Sequence, residues 1–186
     1  SKHFFRNKYD YREEWLRLIA TITGFEDSST RQIVVKAMAQ IVDSPGGLLW
    51  SLDESGREFR LIANYEEPES APNIPVDSPL VIFIKKDGWL IDLEEYKTNP
   101  DLYGDLELPE WLASRDEMWL IVPLMFRQEL LGLVMLAKAP GPPKLNYEDR
   151  DLLKTVGNHL AVHLAQETTD SQLAEAQQFE TYNRLT

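Results

Sequence analysis

Two apolar runs in the second half of the chain, residues 118–126 and 130–137, are separated only by Arg127, Gln128 and Glu129. Both runs are rich in the aliphatic and aromatic residues that favour strands, and both have the length of a strand. A connection this short joins two strands that lie side by side and run antiparallel. The chain is therefore predicted to contain an antiparallel sheet, and this hairpin is its clearest part.

Further strands are predicted where hydrophobic side chains recur at every second residue. Residues 48–52 and 59–65 show this period, and the turn residues 53–56 lie between them. This arrangement predicts a second antiparallel hairpin. Residues 89–93 alternate in the same way and predict one more strand, which is followed by an irregular acidic stretch with a helical turn at 108–112.

Helices are predicted where apolar residues recur at spacings of three and four. Residues 27–30 offer N-caps for one helix, and Ser78 followed by Pro79 begins a short helix that reaches Lys86. A long final helix opens at Asn146. An earlier helix, which Gly24 ends, is predicted from the apolar stripe Tyr11, Trp15, Leu18, Ile19 and Ile22.

The last twenty or so residues are expected to continue the final helix. After Gln166 the chain consists largely of Gln, Glu, Ala and Thr, with no Pro, no Gly and only sparse large apolar residues. A helix this polar needs a partner, because helices in proteins draw most of their stability from a packed apolar face. A parallel coiled coil with a second copy of the chain is the simplest partner. The alternative is a frayed terminal tail.

These elements, in this order, predict an α+β fold with one antiparallel sheet of five or six strands. The N-terminal and C-terminal helices are expected on one face, and the crossover helices and loops on the other. The predicted organisation is an N-terminal linker helix at 1–27, a globular domain at 28–166 and a C-terminal signalling helix at 167–186.

Charge and composition exclude several classes of function. Nineteen Lys and Arg face 31 Asp and Glu, which gives a net charge of −12, so the chain lacks the cationic surface that nucleic acids require. With no cysteine, disulfides, thiolate nucleophiles and thiolate-bound metals are absent. No apolar run approaches the roughly 18 residues of a membrane span, so direct insertion in a membrane is not expected. The chain starts without Met or a signal peptide and is expected to be a piece of a longer protein.

Residues 28–166 resemble a GAF domain, and the motifs that close this domain carry the resemblance. The resemblance lies in a Val-Pro-Leu strand at 121–124, a hairpin that leads to Gly132, an Asp-x-x-Leu-Leu helix start within 147–153, and the helical segment 160–164. For Pro123 and Gly132, a physical explanation of the residue type is available that does not depend on the resemblance. Pro123 has no N–H and is typical of an edge or bulge position, and Gly132 is expected to let a neighbouring segment approach the sheet closely.

The flanking segments 8–17 and 178–185 are similar to those around the GAF domain in PrsK-type sensor histidine kinases of bacterial PEP-CTERM (exosortase) systems. That resemblance implies a parent protein anchored in the inner membrane, a cytoplasmic position for this piece, and kinase domains downstream. It also implies a homodimer through the terminal helices. No residue of a kinase core is present, so this piece itself is not predicted to be an enzyme.

The sequence offers little evidence for catalytic or metal-binding residues. His159 and His163 share one helix face, but without further ligands they are not predicted to bind a metal. The acidic pairs Glu94-Glu95 and Asp116-Glu117 match no calcium loop and are interpreted as solvated surface. A covalent bilin needs a cysteine, haem needs an axial ligand in the pocket, and the Asn-Lys-Phe-Asp-type motif of cyclic-nucleotide-binding relatives is absent. No catalytic residue, metal or cofactor is therefore predicted.

Aromatic residues on the predicted strands and crossover segments are the remaining site candidates. They either line a pocket for an unidentified small molecule or fill the core, as buried aromatic residues commonly do. The predicted function is a non-catalytic sensory module that relays a small-molecule or upstream membrane signal through a helical dimer; the alternative is a ligand-free dimerisation spacer. The candidate pocket residues are Trp50, Phe83, Trp89, Tyr96, Tyr103, Trp111 and Trp119.

Overall fold

The structure is a computed structural model, and it describes residues 12–21, 27–67, 70–142 and 145–185. The helices are α1 (Arg12–Thr21), α2 (Ser28–Ile41), α3 (Pro79–Asp87), α4 (Leu93–Thr98), α5 (Glu110–Ala113) and α6 (Tyr147–Leu185), with a 3-10 helix at Pro100–Tyr103. The strands are β1 (Gly47–Leu52), β2 (Glu58–Tyr65), β3 (Ile74–Pro75), β4 (Ile91–Asp92), β5 (Met118–Phe126) and β6 (Glu129–Ala137). The predicted helix residues Tyr11 and Ile22, and Gly24 as the end of that helix, lie outside the described residues.

The strands form one six-stranded sheet in the order β3-β2-β1-β6-β5-β4. Each neighbouring pair is antiparallel, which confirms the predicted α+β fold with its antiparallel sheet. Both predicted hairpins, β1 with β2 and β5 with β6, are present. They are joined through the pairing of β1 with β6, which places the first and last long strands side by side at the centre.

The sheet separates two hydrophobic clusters, as the pleat of a strand dictates. Leu49 of β1 points toward α2 and α6, in a cluster that also receives Trp15 of α1; this side is the helix face. Its neighbours Leu48 and Trp50 point the other way, toward α3 and the segments before β5; this side is the crossover face. The predicted placement of the terminal helices on one face and the crossover segments on the other is therefore confirmed.

Sequence signals at the ends of α2 and α3 act as predicted. The Asp27 side chain accepts a hydrogen bond from the backbone N–H of Ser29 at the start of α2. Ser78 caps α3 in the same way through the N–H of Val81. Gly88 then ends α3 in the left-handed conformation, with φ of 66°, which costs glycine little because it has no side chain.

The region between α3 and β5 differs from the prediction. The strand expected over residues 89–93 is only two residues long, and Leu93 already belongs to α4. The reason is Asp92, whose carboxylate caps α4 by accepting hydrogen bonds from the N–H groups of Glu94 and Glu95. The acidic stretch that follows contains α4, the 3-10 helix and α5. The short edge strand β3 was not predicted.

Gly132 allows the central strands and α6 to come together. A Cβ atom at this position would lie 2.6 Å from the carbonyl oxygen of Trp50 and 3.0 Å from Cδ1 of Leu164. The first distance is to backbone, which cannot move without disturbing the pairing of β1 with β6. Pro123 lies on β5 beyond Leu120 and Ile121, the residues that pair with β4, so β4 does not require its missing N–H.

The turn between β5 and β6 has an unusual sequence for its conformation. Arg127 and Gln128 have positive φ values of 49° and 66°, the conformation for which Asn-Gly is favoured in a two-residue hairpin. We therefore expect Gln128→Gly to raise the free energy of unfolding by about 1 kcal/mol, measured by urea denaturation. Glu129→Gly is the matched control, because it places glycine at an exposed strand position and should lower stability instead. Equal losses in both variants would contradict the assignment of backbone strain to Gln128.

Helix α6 is continuous over 39 residues, which confirms that the final helix extends beyond Gln166. Its start is fixed by a reciprocal cap: Asn146 accepts a hydrogen bond from the N–H of Asp149, and Asp149 accepts one from the N–H of Asn146. Leu152, Leu153 and Val156 are buried against the sheet. Across the described ranges, no helix has the length and apolar content that crossing a membrane would require.

Candidate functional site

The structure brings together most, but not all, of the predicted aromatic site residues. Trp50, Phe83, Tyr96, Tyr103 and Trp111 all belong to the crossover face. Trp119 and Trp89 lie elsewhere, and a different physical cause explains the position of each.

Trp119 lies on the helix face instead of the crossover face. Strict alternation along β5 would place it on the same side as Ile121. A bulge between Met118 and Leu120 breaks the alternation, so Trp119 and Leu120 both point toward the helices.

Trp89 is also separate from the aromatic group. It precedes β4, and 67% of its surface is exposed. The ammonium nitrogen of Lys154, on α6, lies 5.1 Å from the centre of its ring, which is within the range of a cation–π contact. Trp89 therefore contacts the start of α6 at the surface and does not line the crossover face.

Around Trp50 the crossover face is packed with protein atoms. Trp50 is fully buried, its indole N–H donates to the carbonyl oxygen of Pro72 at 3.0 Å, and its ring lies 5.9 Å from that of Trp111. Its only polar group already has a partner, and its ring packs against another aromatic side chain. This part of the aromatic group therefore has the geometry of a core.

An open space begins where the aromatic group reaches the surface. A cleft of about 660 Å³ lies between α3 and residues 101–107; it is called the α3 cleft below. Phe83 and Tyr103 are the only two predicted site residues that line it. Their ring centres are 6.2 Å apart and the rings are tilted by 44°. The exposed side chains of Ile82 and Leu102 also line the cleft.

Behind the α3 cleft lies a buried polar group centred on Asp92, which retains only 9% of its exposure. One carboxylate oxygen, Oδ1, accepts hydrogen bonds from the N–H groups of Glu94 at 3.1 Å and Glu95 at 3.2 Å. The same oxygen accepts the indole N–H of Trp119 at 3.1 Å. Asp92 thus fixes the start of α4 and the orientation of Trp119 at the same time.

Tyr103 connects this polar group to the α3 cleft. Its hydroxyl accepts a hydrogen bond from the N–H of Asp92 at 3.1 Å and donates one to Oε1 of Glu95 at 2.7 Å. Arg150, near the start of α6, lies 3.5 Å from Oε2 of Glu95 and 3.8 Å from Oδ2 of Asp92. Asp92, Glu95, Tyr103, Trp119 and Arg150 are together called the Asp92 network. It joins the cleft, the edge of the sheet and the start of α6.

Burial sets the protonation chemistry of the Asp92 network. Desolvation raises the pKa of Asp92 above its usual value, although the hydrogen bond from the Glu95 N–H and the charge of Arg150 oppose this effect. Desolvation and the hydrogen bond to Glu95 raise the pKa of Tyr103 well above its usual value. Tyr103 therefore stays a neutral hydrogen-bond donor at physiological pH, and the network serves to hold elements together.

Within the part of the chain that the structure describes, no three His, Cys, Asp or Glu side chains lie close enough to hold a metal ion. His159 is exposed and His163 is half-buried on α6.

The sequence analysis missed the Asp92 network, although one signal for it is local. Asp92 is followed by Leu93 and then by Glu94 and Glu95, which is the pattern of an N-cap with acidic residues in the first helical turn. This signal was missed because the alternation of Trp89, Ile91 and Leu93 favoured a longer strand.

An antiparallel sheet between a layer of terminal helices and a layer of crossover segments defines the class of this domain. The family model that matches the chain is that of the GAF domain, over residues 30–166. The chain belongs to the GAF family. No curated protein matches it significantly.

Solved structures show the same fold at low sequence identity. The GAF domain of an Acinetobacter phosphoenolpyruvate-protein phosphotransferase is 18% identical with a TM-score of 0.64, and the match covers 86% of this chain and 93% of that one. The equivalent domain from Coxiella burnetii is 15% identical with a TM-score of 0.65, covering 89% and 97%. Residues 122 to 287 of a methyl-accepting chemotaxis protein are 12% identical with a TM-score of 0.61, covering 83% and 97%.

Proposed function

We propose that this GAF domain is a regulatory module that relays a signal through α6 to a following domain. The observation that carries the proposal is the two-part character of α6. Leu152, Leu153 and Leu160 are buried against the sheet, whereas Leu173 and Phe179 further along the same helix are exposed. One rigid element therefore joins the core of the domain to a segment with apolar side chains available for a partner.

The partner that we propose for the exposed segment is the same segment of a second copy, in a parallel arrangement. Exposed Phe179 and Tyr182 would be buried in such a dimer. A signal would then act by favouring one of two packings of the paired helices. A difference of a few kcal/mol between the packings is enough to shift their populations substantially.

The parent protein that we propose is a sensor histidine kinase of the PrsK type. Support comes from the similarity of residues 8–17 and 178–185 to the segments that flank the GAF domain in those kinases. In such a protein this chain would be the cytoplasmic regulatory piece, anchored through a membrane portion before it and acting on kinase domains after it. The GAF fold of a segment of a chemotaxis protein supports a signalling context in general.

A second candidate function, a ligand-free dimerisation spacer, is favoured by the packing around Trp50. The indole N–H of Trp50 already donates to the carbonyl oxygen of Pro72, so it is not available to a ligand. A thermal-unfolding screen of small molecules separates the two functions. A ligand at about 100 times its dissociation constant should raise the free energy of unfolding by about 2.7 kcal/mol, whereas a spacer should respond to no compound.

Light scattering of the full chain over a concentration series tests the dimer that both functions require. We expect a dimer, and we expect Phe179→Asp to weaken it at least about tenfold, because the substitution places a charge in the apolar contact. Gln178→Asp is the matched control, since it adds the same charge at the adjacent exposed polar position. A chain that stays monomeric at every concentration, or equal weakening by both variants, would contradict the proposed contact.

A further inference from the structure

The α3 cleft is separate from the packed part of the crossover face. It is lined by α3 and by residues 101–107, and no strand residue contributes to it. Ile82 and Leu102 are 56% and 63% exposed there, next to the ring pair formed by Phe83 and Tyr103. A volume of about 660 Å³ is in the range of sites that bind small organic molecules.

The charges around the cleft have one predominant sign. Among the described residues that line it, Asp87, Asp101, Asp105 and Glu107 are acidic and Lys86 is basic. All four acidic residues are exposed, and among the described residues none of them is in an ion pair. With these four carboxylates against the ammonium of Lys86, the charge that acts on the cleft is predominantly negative and attracts cations into it.

We propose that the α3 cleft binds a small organic cation, an ammonium group attached to an aromatic or aliphatic body. The apolar side chains Ile82 and Leu102 would contact the body of the ligand. The ammonium group would lie among the carboxylates or over the face of an aromatic ring, where cations bind favourably. An anionic ligand of the same shape should bind more weakly, because of the surplus of acidic residues.

The cleft is connected to α6 through a side chain that belongs to both sites. Tyr103 is among the residues that line the cleft, while its hydroxyl donates a hydrogen bond to Glu95 at 2.7 Å. Glu95 in turn pairs with Arg150 of α6. A ligand that displaces the ring of Tyr103 must therefore disturb the pairing at the start of α6. Binding in the cleft is independent of the proposed relay, whereas its effect on α6 rests on that function.

Three matched probes test the ligand class: 2-phenylethylammonium, the neutral 2-phenylethanol and the anionic 3-phenylpropanoate. In nuclear magnetic resonance titrations of the full chain, we expect the ammonium probe to shift the amide signals of residues 82–87 and 101–107. We expect it to bind about five- to tenfold more tightly than the alcohol, and the carboxylate to bind more weakly still. Equal binding of all three probes, binding elsewhere, or no binding up to about 10 mM would overturn the site.

A pair of acidic-to-amide variants tests the role of the cleft charges. Asp105→Asn should weaken binding of the ammonium probe by about two- to fivefold. Asp43→Asn removes the same charge from an exposed position between α2 and β1, on no part of the cleft, and should leave binding unchanged. Equal weakening would mean that the net charge of the protein attracts the probe, and it would overturn the assignment to the cleft.

The connection to α6 is tested with two tyrosine variants. In the unmodified chain the bound probe should shift the indole N–H signal of Trp119 and the amide signal of Arg150. Tyr103→Phe should keep the shifts in the cleft and lose these two. Tyr96→Phe should keep all of them, because the Tyr96 hydroxyl donates to the carbonyl oxygen of Leu106 and not to Glu95.

Glu95→Gln provides a second variant for the connection, since it retains an acceptor for Tyr103 but removes the charge that pairs with Arg150. It should lose the shift at Arg150 while the cleft still binds the probe. Shifts at Trp119 and Arg150 that persist in both Tyr103→Phe and Glu95→Gln would overturn the connection. A cleft that binds no probe in a chain that still dimerises would overturn the site alone and leave the proposed relay standing.

Discussion

Trp50→Ala is expected to lower the free energy of unfolding by about 3 to 5 kcal/mol, the range for removing a large aromatic side chain from a core. Trp50 is fully buried in the crossover face. Its removal deprives Trp111 of the ring 5.9 Å away, and leaves the carbonyl oxygen of Pro72 without the indole donor. The pairing of β1 with β6 holds the surrounding backbone in place, so the space left behind cannot collapse fully.

The matched control for this prediction is Trp89→Ala, measured by urea denaturation under the same conditions. Trp89 is largely exposed, and its described aromatic contact is with Lys154, so the loss should be only about 0.5 to 1 kcal/mol. Indole added to Trp50→Ala should restore part of the lost stability by binding in the new cavity. Similar losses in the two variants would mean that the crossover face is an open pocket around Trp50 and not a core.

The elements that sequence predicted well are those whose cause is local. The hairpin of β1 with β2 follows from alternation, and that of β5 with β6 follows from two apolar runs with a short connection. Helix α3 follows from Ser78 and Pro79, which fix its start. The placement of Trp119 could not be predicted in the same way. It depends on the bulge between Met118 and Leu120, which is a property of the register between two strands and has no marker in the residues themselves.

The candidate site was harder to predict than the fold because it is assembled across the chain. Asp92 and Arg150 are far apart in the sequence. They lie 3.8 Å apart in the structure because β4 pairs with β5 and α6 packs on the sheet. Five of the seven predicted aromatic residues lie on the crossover face, but aromatic composition does not distinguish a filled core from a pocket. The charge pattern of the α3 cleft could not be predicted from the sequence either, because acidic residues like these are typical of an ordinary solvated surface.

Asp92→Ala is expected to lower the free energy of unfolding by about 3 kcal/mol, through two effects. The buried indole N–H of Trp119 loses its acceptor, which costs about 1 to 3 kcal/mol. Helix α4 loses its N-cap, which costs about 1 kcal/mol. Asp101→Ala, at an exposed position of the 3-10 helix, is the matched control and should cost less than about 0.5 kcal/mol. A loss at Asp92 as small as at Asp101 would mean that the Asp92 network does not hold the domain together.

Asp92→Asn separates the hydrogen bonds of Asp92 from its charge, because the amide keeps an oxygen acceptor but does not ionise. Burial raises the pKa of Asp92 above the ordinary value of 3.8, so between 3.8 and the raised pKa the folded state binds more protons than the unfolded state. The contribution of Asp92 to stability is therefore fully present below this window and falls as the pH rises through it.

Relative to the unmodified chain, Asp92→Asn should consequently become more stable as the pH increases across this window, and the difference should stay constant above it. Urea denaturation at several values from about pH 4 to about pH 7 measures this difference. Asp27→Asn should show the opposite trend at lower pH, because the hydrogen bond from the Ser29 N–H lowers the pKa of Asp27 below 3.8. A carboxylate of that kind stabilises the fold as the pH rises from its lowered pKa to 3.8, so this variant is measured from about pH 2.5 to about pH 4. Trends of the same sign in the two variants would contradict the assignment of burial as the dominant influence on Asp92.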